Sequence, residues 1–456
     1  MQRKRKLLQM LLKKKTMNSS PTRVIALVFA GIILLGTLLL MLPIASQDGT
    51  SCDALSSLFT ATSATCVTGL VRYDTGSQWS LFGQIVILCM IELGGLGFMS
   101  MASLFVFLLR RKVGLRQRLV MAQALSLNDM EDVVKLQKWV IFGSLGIQLI
   151  GAVILTARFS GQFALGKAVW YGVFHSVSAF CNAGFDVFGT GNSLLEWNRD
   201  PVVLLTLSAL ITIGGLGFFV WEDVLTKWKF KNFSVYTKLV LITTAVLLLA
   251  GMGLTLVLEW SNPQTLGDMP VKDKLLNAFF QSATLRTAGF AAVDQGGLSP
   301  AGKAVSILLM LVGGSSGSTA GGLKTVTFIV LLLFVWTRAR GKNTVTVFRR
   351  TIPGEKVMDA MTIAMLMIGL AMVGTTVLCA TSGVNFADAL YETVSALATV
   401  GLTTGITAQL HPVAQIMIIV FMYFGRVGVL TISLGFLMAD RAEERIRYAN
   451  TNLLIG

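Results

Sequence analysis

Long uncharged apolar runs alternate along this chain with shorter segments that carry most of its charge. The runs 24–44, 202–221, 239–258 and 360–387 contain no charged residue. An α-helix of about 20 residues spans the roughly 30 Å hydrocarbon core of a bilayer, so each run is long enough to cross it. Because 24–44 is longer than the apolar part of a signal peptide and no small-residue cleavage site follows closely, we expect it to remain as the first membrane helix.

A shorter apolar stretch recurs four times between the long runs. Each copy has a Ser–Ala step and ends in a glycine that is followed by Leu or Phe. Stretches of roughly a dozen apolar residues are too short to cross a membrane and are typical of re-entrant segments. The copies are LFTATSATCVTGL (58–70), VFHSVSAFCNAGF (173–185), AFFQSATLRTAGF (278–290) and LYETVSALATVGL (390–402).

A second, glycine-rich marker follows each stretch at a similar distance. Its first glycine comes 25, 30, 24 and 24 residues after the glycine of the preceding stretch. Two landmarks that keep step through four copies indicate an internal repeat. The sequence therefore predicts an all-α integral membrane protein, with eight spanning helices and four re-entrant pore helices in four parallel repeats around one pseudo-four-fold pore. The markers are LGGLG (93–97), IGGLG (213–217), VGGSSG (312–317) and FGRVG (424–428).

The basic residues fall on alternate connecting segments. Of the 38 Lys and Arg residues, 28 lie in five segments, and only eight lie in the segments between them. This alternation follows the positive-inside rule and predicts that both termini face the cytoplasm of a bacterial cell. The net charge of +15 thus reflects membrane topology, and we expect no nucleic-acid partner. The basic segments are 1–23, 110–138, 226–238, 338–356 and 440–447.

The repeated stretches have features that suit a cation pore. A short helix entering from outside directs its C-terminal carbonyl end, with about half a negative charge, toward the membrane centre. Extended backbone after such a helix presents carbonyl oxygens that can replace the hydration shell of an ion. Glycine permits this arrangement, because the backbone angles it needs are opposed by a Cβ.

These motifs resemble the Trk/Ktr/HKT superfamily of potassium transporters over about residues 22–440. Eight predicted spanning helices without an extra N-terminal pair make the chain most similar to the Ktr-type membrane subunit. The resemblance implies potassium uptake across the plasma membrane through a glycine-lined selectivity filter, and it leaves sodium coupling open. Across the four repeats only the glycine matches the potassium-channel pattern, so selectivity is expected to be looser. The implied potassium-binding residues are Val67, Thr68, Gly69, Asn182, Ala183, Gly184, Thr287, Ala288, Gly289, Thr399, Val400 and Gly401.

The resemblance also implies a gate. The stretch 312–324 interrupts the second spanning segment of the third repeat, and each glycine in it costs an α-helix about 1 kcal/mol relative to alanine. In the superfamily this stretch is an intramembrane loop that blocks the pore below the filter, and Arg426 lies beside it. Two points stay open: Arg426 also has Glu92 as a candidate ion-pair partner, and Lys324 either anchors the loop or snorkels to the membrane surface. The implied gate residues are Gly313, Gly314, Ser315, Ser316, Gly317, Ser318, Thr319, Ala320, Gly321, Gly322, Lys324 and Arg426.

Two other polar residues lie near the predicted filter. We expect Arg286 to brace the third filter segment through hydrogen bonds in preference to touching the ion. His175 is expected to be a packed residue of the second pore helix.

No nucleotide cofactor is expected in this chain, because it has neither a Walker-type loop nor a Rossmann fingerprint. The resemblance implies a homodimer in the lipid membrane, docked on a cytosolic ring of regulatory subunits that bind ATP or ADP. Two basic clusters are candidates for that contact: Arg110, Arg111, Lys112, Arg116 and Arg118 in one loop, and Arg338, Arg340 and Lys342 in another.

Three other classes of protein share part of the pattern. The G-x-S-G sequence around Ser316 resembles that of rhomboid-type intramembrane proteases, but the one later histidine is His411, at the outer end of a segment. An inverted-repeat solute carrier would place alternate units on opposite sides of the membrane. A potassium-pump channel subunit would be longer. We therefore do not expect an enzyme.

The predicted organisation follows the repeats and the basic loops. It comprises a cytoplasmic N-terminus (1–23), a first repeat (24–109), a cytoplasmic loop (110–138), a second repeat (139–226), a third repeat with the gate loop (227–337), a cytoplasmic loop (338–357), a fourth repeat (358–439) and a cytoplasmic C-terminus (440–456).

Overall fold

A computed structural model of the protein describes residues 21–97 and 133–428, with the side chains of 25–97 and 138–428. Residues 1–20, most of the loop 110–138 with its basic cluster, and the C-terminus 440–456 lie outside the described residues. Within these bounds the chain is helical apart from one hairpin of strands β1 (Thr346–Val347) and β2 (Arg350–Thr351), so the predicted all-helical class is confirmed. The helices are α1 (Pro21–Leu40), α2 (Ala54–Thr65), α3 (Thr75–Gln78), α4 (Leu81–Leu96), α5 (Val133–Phe159), α6 (Leu165–Phe180), α7 (Pro201–Leu216), α8 (Phe218–Lys227), α9 (Val235–Glu259), α10 (Val271–Thr284), α11 (Pro300–Leu311), α12 (Thr325–Ala339), α13 (Gly354–Ser382), α14 (Phe386–Leu397) and α15 (Pro412–Val427).

The short helices α2, α6 and α14 each pack against the long helices before and after them in sequence, and α10 packs against the long helix before it, α9. The following long helix also packs against the next short helix along the chain: α4 against α6, α7 against α10, and α11 against α14. The last of these long helices, α15, packs against α2, the first short helix. This cyclic packing brings the C-terminal ends of the four short helices toward one another.

Three helices within the described residues are long and apolar enough to cross a membrane unbroken: Lys138–Phe159, Val235–Glu259 and Gly354–Ser382. The predicted uninterrupted run 202–221 is instead two helices, α7 and α8, bent by 94°. The cause is Gly217, whose φ of +92° lies in the left-handed region and ends α7. The sequence suggested a helix break in the third repeat alone, but the second repeat has one as well.

The same termination recurs at two other markers. Helix α4 ends before Gly97 with φ +83°, and α15 ends before Gly428 with φ +96°. A glycine in the left-handed conformation is a common helix stop, because it lacks the Cβ that opposes this conformation.

Capping side chains fix where the helices around the site begin. The Asp53 carboxylate accepts from the Ser56 N–H at the start of α2, and the Asn385 side chain accepts from the Asp388 N–H at the start of α14. Each cap satisfies one of the N–H groups that a helix start leaves without a partner.

The outward faces of the long helices are apolar. Leu249 and Val257 of α9 and Met365 of α13 are exposed by 67%, 78% and 71%. Such side chains on several neighbouring turns suit contact with lipid better than contact with water.

Candidate functional site: a ring of glycine segments and a loop

Each short helix leads into a three-residue segment with the same unusual backbone. The first residue of each segment has a left-handed φ, although it is not glycine: +56° at Val67, +59° at Asn182, +66° at Thr287 and +52° at Thr399. Such a conformation costs about 1–3 kcal/mol and persists only where the surrounding structure holds it. The third residue is always a glycine with positive φ: Gly69 (+98°), Gly184 (+68°), Gly289 (+83°) and Gly401 (+91°).

The four glycines form a closed ring, which we call the glycine ring. A Cβ on each would collide with the carbonyl oxygen of the middle residue in the next segment, so the backbones touch where the glycines stand. The fourth glycine meets the first segment, and its clash would be the most severe. The distances from such a Cβ are 2.6 Å from Gly69 to Ala183 O, 2.6 Å from Gly184 to Ala288 O, 2.6 Å from Gly289 to Val400 O, and 1.9 Å from Gly401 to Thr68 O.

A hydroxyl group near the end of each short helix ties its segment down. The Ser63 and Ser395 hydroxyls accept from the N–H groups of Gly69 and Gly401, at 3.1 and 3.0 Å. The equivalent hydroxyls in the other two units donate to the carbonyl after the glycine: Ser178 to Phe185 O at 2.8 Å, and Thr284 to Phe290 O at 2.7 Å. Serine of the Ser–Ala step does this in three units.

The third unit departs from the sequence motif. Its Ser–Ala step begins at Ser282, whose hydroxyl donates to Leu248 O at 2.8 Å, while Thr284 holds the segment. The residue equivalent to the serines of the other units is therefore Thr284, and not the Ser282 that the motif indicated. The reason is that the third unit has one residue fewer between this hydroxyl-bearing residue and its glycine.

The second glycine marker lies directly against the short helices. A Cβ on Gly94, Gly214 or Gly425 would lie 1.9, 2.0 or 2.2 Å from the carbonyl oxygen of the last residue of α2, α6 or α14. Glycine is therefore needed at the marker, because here a long helix crosses a short helix in direct backbone contact and leaves no room for a Cβ. In the third unit Gly313 instead meets Gly321 O, at 2.2 Å.

The loop between α11 and α12, residues 312–324, packs against the entrance to the glycine ring. A Cβ on Gly321 would lie 2.0 Å from the Thr399 hydroxyl, and one on Gly313 would lie 3.2 Å from the Thr287 methyl. The Thr319 hydroxyl donates to Phe180 O, at the end of α6, at 3.2 Å. The loop thus touches the first-position threonines of two segments and the short helix of a third unit.

Backbone hydrogen bonds join the loop to the broken α7–α8 helix. Ser315 N–H donates to Gly215 O at 3.0 Å, and Phe218 N–H donates to Gly317 O at 2.9 Å. The helix break at Gly217 therefore frees backbone groups that the loop then satisfies.

Arg426 links the loop to the first unit. Its guanidinium donates to Thr319 O of the loop, and to Gly94 O and, at 2.9 Å, Gly95 O of the first marker. Glu92 is bound instead by the Gln148 amide at 3.0 Å and the Cys181 thiol at 3.3 Å. The alternative of an Arg426–Glu92 ion pair is thus wrong for the described residues, and the arginine is held by carbonyl oxygens.

Three other side chains hold the loop. Arg286 donates to Gly313 O at 3.3 Å and to the Thr325 hydroxyl at 3.1 Å, so its hydrogen bonds go to the loop and to the start of α12 and not to the filter segment that the sequence predicted it to brace. Lys324 donates to Ala320 O at 2.7 Å, a hydrogen bond within the loop. The Tyr236 hydroxyl donates to Ser316 O at 2.9 Å, a contact that no sequence signal announced.

His175 is packed, as predicted. Its ring is fully buried, Nδ1 lies 2.7 Å from Tyr171 O, and the ring stacks on Phe188 with centroids 4.2 Å apart.

An outer cavity of about 350 Å³ lies on the other side of the glycine ring from the loop. The four glycines form its floor, and the residues that follow them form its wall. The wall includes the carboxylates of Asp74, Asp186 and Asp294 and one arginine, Arg72, which is paired with Asp53 at 3.2 Å. The acidic side chains of this wall outnumber its one arginine, so the lining favours a cation over an anion.

A family model described as TrkH, cation transport protein, matches residues 8–445. The chain belongs to the TrkH family. It is 40% identical to the potassium/sodium uptake protein NtpJ of Enterococcus hirae, over 96% of this chain and 97% of that one. It is 39% identical to the Ktr system potassium uptake protein B of Bacillus subtilis, over 97% and 98%. The crystal structure of the potassium transporter TrkH from Vibrio parahaemolyticus has the same fold, with a TM-score of 0.72 at 17% identity, covering 92% of this chain and 86% of that one.

Membership of the TrkH family confirms the predicted family and makes the chain a transporter, not an enzyme. The geometry agrees, because His411 caps the start of α15 while Arg426, near its other end, reaches the loop that holds Ser316. The 16 residues of α15 separate these ends by about 24 Å at 1.5 Å per residue, too far for a Ser–His pair. The protease alternative is therefore wrong.

Proposed function

We propose that the protein takes up potassium through a pore whose selectivity filter is the glycine ring. The observation that carries this proposal is the closed contact of four segments, each glycine against the next middle carbonyl. The names of the 39–40% identical relatives, which are potassium or potassium/sodium uptake proteins, support the same cargo.

Selection of the ion would rest on backbone carbonyl oxygens of the ring, which carry partial negative charge and replace the water around the ion. Four short helices end at the ring, and each helix C-terminus supplies about half a negative charge without a titratable group. Carbonyl oxygens of the three-residue segments then coordinate the ion as its hydration shell leaves. Since only the glycine is common to all four segments, we expect weaker discrimination against sodium than a symmetric channel has.

We further propose that the four units form eight membrane crossings with the predicted repeat boundaries, in the cell membrane, with both termini in the cytoplasm. The broken pairs α7–α8 and α11–α12 then each count as one crossing. The charge alternation supports this orientation, because the outer cavity lies with the segments that are poor in Lys and Arg.

The loop 312–324 is the proposed gate. It lies against Thr287 and Thr399. Hydrogen bonds with the second, third and fourth units hold it there: Ser315 N–H donates to Gly215 O, and Arg286 and Arg426 donate to the loop carbonyls of Gly313 and Thr319. An ion that has passed the ring meets this loop and the Arg426 guanidinium, so both must move or reorient for conduction.

Control of the gate is proposed to come from a cytosolic nucleotide-binding partner, with this chain as a homodimer. Relatives named as parts of a Ktr system support a system with several components. Helix α12 begins directly after Lys324 and runs to Ala339. Arg338 lies in its last turn, and Arg340 and Lys342 follow its end. A partner bound at that end would act on the loop through one continuous helix.

The test is complementation of a bacterium that lacks its own potassium uptake, with and without a co-expressed regulatory subunit. We expect growth at low potassium to be restored, and ⁸⁶Rb⁺ uptake into vesicles to respond to ATP against ADP only when the regulatory subunit is present. A properly inserted chain that restores neither growth nor ⁸⁶Rb⁺ uptake would refute potassium uptake. Full nucleotide-insensitive uptake by the chain alone would refute the regulatory part only.

A further inference from the structure

The fourth short helix carries a buried acid that has no basic partner among the described residues. Glu392 of α14 is 0% exposed, and its Oε2 has no hydrogen-bond partner there. Asp388, one turn earlier on the same helix, is by contrast paired with Lys303 at 2.9 Å. An uncompensated buried carboxylate costs several kcal/mol, so the charge of Glu392 calls for a proton or a cation.

Two threonine hydroxyls lie beside this carboxylate. Thr407 donates to Glu392 Oε1, and its hydroxyl lies 2.9 Å from that of Thr403. Both threonines line the outer cavity, so they separate Glu392 from the space above the glycine ring by a single layer of side chains.

In the third unit a neutral side chain, that of Gln281, occupies the position equivalent to Glu392. Gln281 of α10 donates to Gln295, six residues after Gly289, at 2.7 Å, just as Glu392 contacts Thr407, six residues after Gly401. Gln295 donates back to Gln281 at 3.2 Å. The Gln281 amide thus donates one hydrogen bond to Gln295 and accepts one from it. The Glu392 carboxylate, by contrast, accepts at Oε1 only, and its Oε2 has no donor among the described residues.

We propose that Glu392, with the hydroxyls of Thr403 and Thr407, binds a sodium ion that enters from the outer cavity and promotes potassium uptake. This inference rests on the proposed potassium function and assigns the residues that would make it sodium-dependent. A carboxylate concentrates a full charge on two small oxygens, and its attraction grows as the ion–oxygen distance shortens, which favours sodium over the larger potassium ion. Hydroxyls rotate freely enough to turn their lone pairs toward the ion.

The test compares the parent with Glu392→Gln, which keeps the shape of a protonated acid but removes its charge. ⁸⁶Rb⁺ uptake by the chain with its regulatory subunit in proteoliposomes is measured against external sodium, with N-methylglucamine keeping ionic strength constant. We expect the sodium concentration for half-maximal stimulation to rise at least about tenfold in E392Q, which corresponds to about 1.4 kcal/mol of lost binding. Gln281→Asn, at the matching position of the third unit, should keep the parent's sodium response.

A second measurement does not depend on transport. Sodium added at fixed ionic strength should raise the Tm of the purified parent, and should raise it much less in E392Q. Thr403→Val reports on the same site if E392Q does not fold, and should also weaken the sodium effect. Potassium should give a smaller shift than sodium at the same concentration.

Several results would overturn the site. A normal sodium response in E392Q means that Glu392 is simply protonated, and an equal Tm shift with potassium removes the sodium assignment. Sodium-independent uptake with no sodium-dependent Tm shift in the parent removes the site but leaves potassium uptake standing. A parent that takes up no ⁸⁶Rb⁺ but gains Tm with sodium would remove the proposed potassium function while keeping the ion site.

Discussion

The glycine ring and the loop 312–324 lie against each other, yet they are built in opposite ways. The ring has four copies of one backbone conformation, and its first residues are as different as Val67, Asn182 and Thr399. The loop occurs once, and side chains from elsewhere hold it: Tyr236 from α9 and Arg426 from α15.

This difference separates the effects of mutation. In the ring, backbone touches backbone, so an added Cβ has no flexible neighbour to displace. In the loop, individual hydrogen bonds can be removed one at a time, each worth roughly 1–3 kcal/mol. Ring substitutions should therefore have large effects on selectivity, whereas loop substitutions should change the uptake rate by smaller amounts.

The largest expected effect is that of Gly401→Ser. Its Cβ would lie 1.9 Å from Thr68 O at a φ of +91°, so the ring must open or distort. We expect at least about a tenfold weaker apparent potassium affinity, equivalent to about 1.4 kcal/mol, with reduced discrimination against sodium. Gly69→Ser, with its contact at 2.6 Å, should show the same change to a smaller extent.

Gly405→Ser is the matched control for this pair. Gly405 has a φ of +95°, but a Cβ there would meet nothing within 4 Å, so the variant carries the backbone strain without the clash. Uptake of ⁸⁶Rb⁺ in competition with sodium measures the selectivity of all three variants. Unchanged selectivity in both ring variants would rule out the glycine ring as the filter.

The regular part of the site was readable from the sequence, because it is written four times. The spacing of the glycines predicted where the short helices end and which residues meet, and in three of the four units the marker glycine lies in close contact with the end of the short helix. The sequence did not indicate the left-handed φ of Val67, since a β-branched residue is among the least suited to that conformation. That strain is imposed by the ring as a whole.

The irregular part was not readable in the same way. The IGGLG motif (213–217) lies in an uninterrupted apolar run, so it did not indicate that the chain bends by 94° between α7 and α8. The partners of Arg426 are main-chain carbonyls, which every residue has, so the sequence offered Glu92 as the apparent partner instead. Contacts between residues far apart in the chain, such as Tyr236 with Ser316, leave no local pattern at all.

Arg426→Ala should have the largest effect among the loop variants. It removes donors to Thr319 O and to the two marker carbonyls, together with the positive charge on the ion's path. Hydrogen bonds from a charged donor are worth about 1.5–3 kcal/mol, so we expect the maximal ⁸⁶Rb⁺ uptake rate to rise several-fold and its dependence on a regulatory subunit to weaken.

Arg426→Lys separates the contribution of the hydrogen bonds from that of the positive charge. It keeps the charge but cannot reach all three carbonyls, so it should give a rate between those of the parent and the alanine variant. Deletion within 313–322 should resemble Arg426→Ala. A folded variant of either kind that transports more slowly than the parent would contradict the gate.

The smallest expected effect is that of Tyr236→Phe, which removes only the hydroxyl that donates to Ser316 O. A neutral hydrogen bond contributes about 1 kcal/mol, so the equilibrium between the closed and open loop should shift by at most about fivefold. Tyr423→Phe is the matched control, because its hydroxyl donates at 2.7 Å to Ala26 O, which joins α15 to α1 and does not touch the loop. Both variants should lower the Tm by a similar small amount, but only Tyr236→Phe should raise the uptake rate. Equal rates in the two variants would mean that Tyr236 stabilises the fold without restraining the loop.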